Sequence, residues 1–180
     1  MLLSIQQQYV MDLLRNVGSL RKNQLLIMLQ QRFASENMKI SDRRLEAILR
    51  QLRTCVGEIR VENEIVRLDQ AQPDWYWLEA IDIMLELSGR TPPHYKARLP
   101  PPLLLRFVLD GDASSVFAVA AWKDRNEALP VLNRQGEQRV IWLSDTTQPP
   151  AALSLPPDHF LAVRKKDGTH RFYGSQEPQS

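Results

Sequence analysis

The sequence predicts an α+β protein in two parts, and three observations lead there. Over the first seventy residues, apolar side chains recur at helical intervals in three successive runs and then alternate over two short strands. After a proline-rich stretch, short apolar runs flanked by turn residues surround one more helical segment. With 43% hydrophobic and 24% charged residues in 180, the chain has the composition of a globular protein with a real core.

In the first part, Ser4 is placed to cap a helix whose apolar residues are Val10, Leu13, Leu14 and Val17, and Gly18 supplies its stop. A second helix is expected over Arg21 to Phe33, with Leu25, Leu26, Leu29 and Phe33 on one side. Ser41 opens a third, in which Leu45, Ile48, Leu49, Leu52 and Val56 fall within a stripe about 100° wide, as on a helix laid against a core. Gly57 ends it. Ile59-Arg60-Val61, a turn at Glu62-Asn63-Glu64, and Ile65-Val66-Arg67-Leu68 then read as a hairpin. Three helices followed by a hairpin is the order of a winged helix-turn-helix, so residues 1–70 are assigned to such a domain.

That order implies a function. In winged helix-turn-helix units the third helix enters the major groove of double-stranded DNA and the hairpin can touch the backbone. Here the third helix carries Arg43, Arg44, Arg50 and Gln51 away from its apolar stripe, donors suited to phosphates or to purine edges, and Arg60 on the hairpin extends the candidate DNA-binding set. Against this stand Glu58, Glu62 and Glu64 on the hairpin, which would repel phosphate, and the solvated-face reading in which Glu46 and Arg50 form an ordinary i,i+4 pair. The alternative function is a protein-docking module that uses the same unit or the helix that follows it.

That following helix, Trp75 to Leu87, is capped by Asp74 and is apolar on nearly every side except a stripe of Glu79, Asp82 and Glu86. It suits burial between the two parts or a seam for a homodimer. Three aligned carboxylates can hold a metal ion, but without a histidine close in sequence they are read as a solvated stripe, and no metal or cofactor is expected. Residues 71–102 are taken as this connecting helix and a proline-rich linker, in which Pro92, Pro93, Pro100, Pro101 and Pro102 exclude a helix or a central strand. Residues 103–180 read as a small α/β domain with a mixed sheet: strands at Leu103 to Leu109 and Val116 to Trp122 joined by Asp110-Gly111-Asp112, a helix from Asp124 to Asn133 despite Pro130, then strands at Val140 to Leu143, Phe160 to Val163 and Arg171 to Tyr173, with Lys166-Asp167-Gly168 turning the last hairpin.

The pattern around Ser41 to Leu52, followed by LLLRFVLDGDASSVFAVAAW, RVIWL and KKDGTHRFY, resembles the winged-helix proteins of mobile genetic elements related to the replication-relaxation group. In that group a DNA-binding unit precedes a small α/β domain similar to restriction-endonuclease folds. The resemblance implies a regulator or accessory factor of a plasmid or integrative element. It does not imply nuclease chemistry, which needs clustered carboxylates and a lysine around a divalent ion. None of the six lysines has an acidic residue two places before it; Leu20, Asn37, His94, Ala121, Val163 and Arg164 occupy those places. Asp110 and Asp112 are the remaining candidates, and Asp-Gly-Asp between strands is first a turn. The second domain is therefore expected to be catalytically degenerate and the protein not an enzyme.

Nucleotide loops of the GxxxxGK[ST] type and the G-x-S-x-G elbow are both absent, and His94, His159 and His170 are scattered. Residues 1–70 hold 11 Lys/Arg and 8 Asp/Glu, a net +3, and the remainder holds 12 and 13, a net −1. That skew permits nucleic-acid binding by the first part without demanding it. The single cysteine, Cys55, excludes an intramolecular disulfide and is read as a partly buried small apolar residue. With neither a leader-like start at Met1 to Val10 nor an apolar run of membrane-spanning length, a cytoplasmic protein is expected.

Overall fold

The computed structural model describes residues 2–36, 38–89, 94–97, 99–109, 116–136, 139–150 and 153–174. Among them are five α-helices and two sheets, a three-stranded one and a mixed six-stranded one, and the chain divides into two compact units. The first unit comprises Met1–Leu78 with Gly89–Pro92, the second Glu79–Ser88 with Pro93–Ser180. No helix among the described residues is long and apolar enough to cross a membrane.

The first unit begins with α1 (Ile5–Val17), where Ser4 Oγ accepts from the Gln7 amide at 3.3 Å and the Gln7 side chain accepts from the Ser4 amide at 2.8 Å. This reciprocal box satisfies two of the donors that a helix start leaves open. Gly18, at φ +83°, ends the helix. The next three residues form a strand, β1 (Ser19–Arg21), where the periodicity showed only a link between helices. Its partner comes from much later in the chain: β3 (Ile65–Leu68) pairs antiparallel with β1 on one side and with β2 (Ile59–Glu62) on the other. The β2–β3 turn is Asn63-Glu64, both at positive φ, the conformation that matches the twist of a two-residue hairpin.

Helix α2 (Lys22–Phe33) and helix α3 (Asp42–Cys55) complete the unit. Its core gathers Val10, Met11 and Leu14 of α1, Leu20 of β1, Leu25, Met28, Leu29 and Phe33 of α2, and Leu45, Ile48, Leu49 and Leu52 of α3, all buried. The expected apolar stripe of the third helix is therefore its buried face, apart from Val56, which caps the helix and is half-buried.

Helix α4 (Trp75–Leu87) runs across the division between the units at Leu78 and Glu79. Asp74 accepts from the amides of Tyr76 and Trp77 at its start. Trp77, Leu78, Ala80, Ile81, Ile83, Met84 and Leu85 are all buried, while Trp75 at the start of the helix is exposed.

In the second unit the sheet follows chain order: β4 (Tyr95–Ala97), β5 (Leu103–Val108), β6 (Val116–Ala121), β7 (Arg139–Leu143), β8 (His159–Arg164) and β9 (His170–Gly174). The first three are antiparallel, β6, β7 and β8 are parallel, and β9 returns antiparallel. Strand β4 lies inside the proline-rich stretch, at a sheet edge where missing ladder donors are tolerated. Helix α5 (Arg125–Gln135) makes the β6–β7 crossover and contains Pro130. Its Ala128 and Leu132 pack with Leu103, Ala118, Ala120, Val140, Trp142, Leu161 and Val163 on one face of the sheet. Alternation puts Leu105, Phe107, Val119, Ile141, Leu143 and Ala162, also buried, on the other face. Asp110 and Asp112 lie outside the described residues.

Candidate nucleic-acid interface

The exposed side of α3 is built by the same periodicity that buries its other side. Ser41 Oγ accepts from the Arg44 amide at 3.2 Å to start the helix, and Asp42 in the first turn suits the positive end of its dipole. With Leu45, Ile48, Leu49 and Leu52 turned into the core, Arg43, Ala47, Arg50 and Thr54 come out along one line on the opposite side. Arg43 and Arg50 are exposed, and neither guanidinium makes a hydrogen bond or ion pair among the described residues. Arg53, beside that line, is likewise exposed and unpaired.

The other two expected side chains of this helix are engaged. Arg44 Nε and Nη2 donate to Gln6 Oε1 at 3.0 and 2.8 Å, and Gln51 Oε1 accepts from Gln7 Nε2 at 2.9 Å. Gln6 and Gln7 are buried residues of α1, so these bonds fix the rotation of α3 against α1. The four sequence candidates on this helix thus separate into a free pair, Arg43 and Arg50, and a clamping pair, Arg44 and Gln51. Periodicity could not distinguish them, because all four lie off the apolar stripe and the glutamine partners are some forty residues away.

Arg60, the candidate on the hairpin, is paired with Asp69 through a short hydrogen bond. The bond holds the exposed Asp69 carboxyl below the usual range and the guanidinium above its own. The hairpin acids are also paired: Glu58 with Arg15 at 3.9 Å, Glu62 with Arg67 at 3.3 Å and Glu64 with Lys22 at 3.1 Å. Glu46 pairs with Lys22 at 2.7 Å, in place of the expected partner Arg50. Donating to the carboxylates of Glu46 first, then Glu64, raises the pKa of the Lys22 ammonium above its ordinary value. Glu46 and Glu64 share the Lys22 ammonium, while Arg43, Arg50 and Arg53 on α3 carry positive charge with no ion pair among the described residues.

Cys55, at the C-terminal end of α3, is exposed rather than partly buried.

In the second unit the expected solvated stripe of α4 holds for Glu86, which is exposed, and in part for Asp82, but not for Glu79. Glu79 is 0% exposed, and β9 supplies the histidine that sequence proximity did not. His170 Nε2 lies 3.0 Å from Glu79 Oε2, His170 Nδ1 lies 2.9 Å from Glu86 Oε2, and Arg164 donates to Glu79 Oε1. The imidazole stands between the two carboxylates and keeps them from converging on a common point. Among the described residues no group of three or more His, Cys, Asp or Glu is placed to hold a metal ion. On the opposite face of the sheet, Trp142 Nε1 donates to His159 Nδ1 at 3.2 Å, and burial pushes the His159 imidazole below its ordinary pKa.

Comparison with protein-family models and with curated proteins finds no match to this chain.

Proposed function

We propose that the first unit is a winged helix-turn-helix domain that binds double-stranded DNA through the exposed line of α3. The observation that carries this reading is the pair of guanidiniums, Arg43 and Arg50, exposed on one side of α3 and making no ion pair among the described residues. Three helices with a strand between the first two, and a hairpin whose second strand completes a three-stranded sheet, agree with a winged-helix assignment. Free guanidiniums on an outward helix face bond phosphate oxygens or the O6 and N7 of guanine. Arg44, Gln51 and Arg60 act at one remove, holding the helix and hairpin in place. A role as a regulator or accessory factor of a plasmid or integrative element rests on the sequence resemblance. The second unit is read as a non-catalytic α/β domain.

Fluorescence anisotropy of a labelled duplex DNA tests the reading. Wild-type protein should bind at low salt, and the Arg43→Ala/Arg50→Ala variant should bind at least tenfold more weakly while keeping its circular dichroism spectrum. Equal affinity of the two proteins would remove α3 from the interface.

A further inference from the structure

The chemistry along the exposed line of α3 is limited. Reading adenine takes a group that donates and accepts together, the amide of Asn or Gln. Gln51 is the one such residue near this line, and its oxygen is committed to Gln7. Thr54 carries a hydroxyl, but that group donates to the Arg50 carbonyl at 3.1 Å, leaving the γ-methyl as what the side chain offers outward. Ala47 offers only a methyl, half exposed. Along the axis Ala47 lies about 6 Å from Arg43 and about 4.5 Å from Arg50, so a surface gripped by both guanidiniums passes across it.

We propose that Ala47 and Thr54 read the C5-methyl group of a pyrimidine in the major groove, making the protein selective for steps that carry thymine or 5-methylcytosine. The proposal rests on the DNA-binding reading above. An apolar contact with a C5-methyl is the recognition that small side chains such as Ala and Thr perform in the major groove. Duplex RNA is excluded on two grounds, since uracil lacks the methyl and the A-form major groove is too deep and narrow for side chains to read.

The test uses the full chain and duplexes enriched from a random-sequence DNA pool, resynthesised with deoxyuridine in place of thymidine. A second set carries its C5-methyl groups on cytosine alone, which separates 5-methylcytosine from thymine as the source. Each contacted methyl that is removed should weaken binding roughly fourfold. Thr54→Ser keeps the hydroxyl bond to Arg50 and deletes only a methyl, so it should bind the uracil duplex as wild type does and lose its share of the discrimination. Ala47→Ser should do the same at its own position. Equal wild-type affinity for the methylated and unmethylated duplexes overturns the methyl contact and leaves DNA binding standing. Failure to bind any duplex overturns both.

Discussion

Glu79 and His170 meet at 3.0 Å with both side chains essentially sealed from solvent, although 91 residues separate them. The His170 ring touches Glu86 with its other nitrogen, its backbone amide donates to that same carboxylate, and the cross-strand neighbour Arg164 holds the far oxygen of Glu79. Both ring nitrogens therefore face carboxylate oxygens. A neutral imidazole has a single N–H, so full pairing requires one further proton, on the ring or on a carboxyl. The cluster ties the second half of α4 to the edge strand β9. Removing one member leaves the others desolvated and unpaired, which costs more than the assembled cluster contributes.

Glu79→Ala should accordingly destabilise the protein by about 3 kcal/mol, the lower end of the range for a broken buried pair, because Arg164 is partly exposed and can recover water. Glu79→Gln keeps the shape and should cost less. Urea denaturation followed by circular dichroism measures both, and an alanine variant as stable as wild type would show that the cluster does not hold α4 to β9.

The second histidine gives a pH dependence of definite sign. Burial lowers the folded-state pKa of His159 below the ordinary imidazole value near 6.5, so at mildly acid pH the unfolded chain binds a proton that the folded one resists. Stability from keeping His159 neutral is full above about pH 6.5 and is lost as pH falls through the window beneath it. His159→Asn retains an acceptor for the Trp142 indole and cannot titrate. Its thermal midpoint should fall less than that of wild type between neutral and mildly acid pH, and parallel falls would mean that another group carries the acid sensitivity.

Leu49 is 1% exposed in the middle of the buried face of α3, and its truncation to alanine should cost on the order of 2 to 5 kcal/mol. A denaturation midpoint equal to wild type would contradict the helical phase on which the exposed line also depends.

What was legible in the sequence follows the range over which each feature is decided. Helix α3 could be placed from its own residues because burial and exposure alternate with its period, and the Asn63-Glu64 hairpin could be placed because its turn is local. Strand β1 could not: three residues show no period, and β1 exists only because β3 pairs with it from some forty-five positions away. The same reason hid the partners of Arg44 and Gln51. The acidic stripe of α4 was visible, but its meaning depended on a histidine that antiparallel pairing of β9 with β8 carries to it. The cations matched to Glu58 and Glu64 also come from other elements, Arg15 and Lys22, so the hairpin looked more repulsive in sequence than it is in the fold.

Arg44 separates clamping from contact. Arg44→Ala and Gln6→Ala should each destabilise the protein by about 1 to 2 kcal/mol, and the double variant should cost less than their sum, because one charge-assisted interaction is lost either way. Additive losses would show that the two side chains act independently.

The most direct test of the account is the slope of log affinity against log salt concentration for duplex DNA, measured for wild type, Arg43→Ala/Arg50→Ala and Arg44→Ala. Each phosphate contact contributes about 0.9 to that slope. If Arg43 and Arg50 both grip phosphates, the double variant should be flatter than wild type by nearly two units. Arg44→Ala should keep the wild-type slope, since its guanidinium is held by Gln6. Identical slopes for wild type and the double variant, or no binding by wild type at low salt, would contradict a DNA interface on α3.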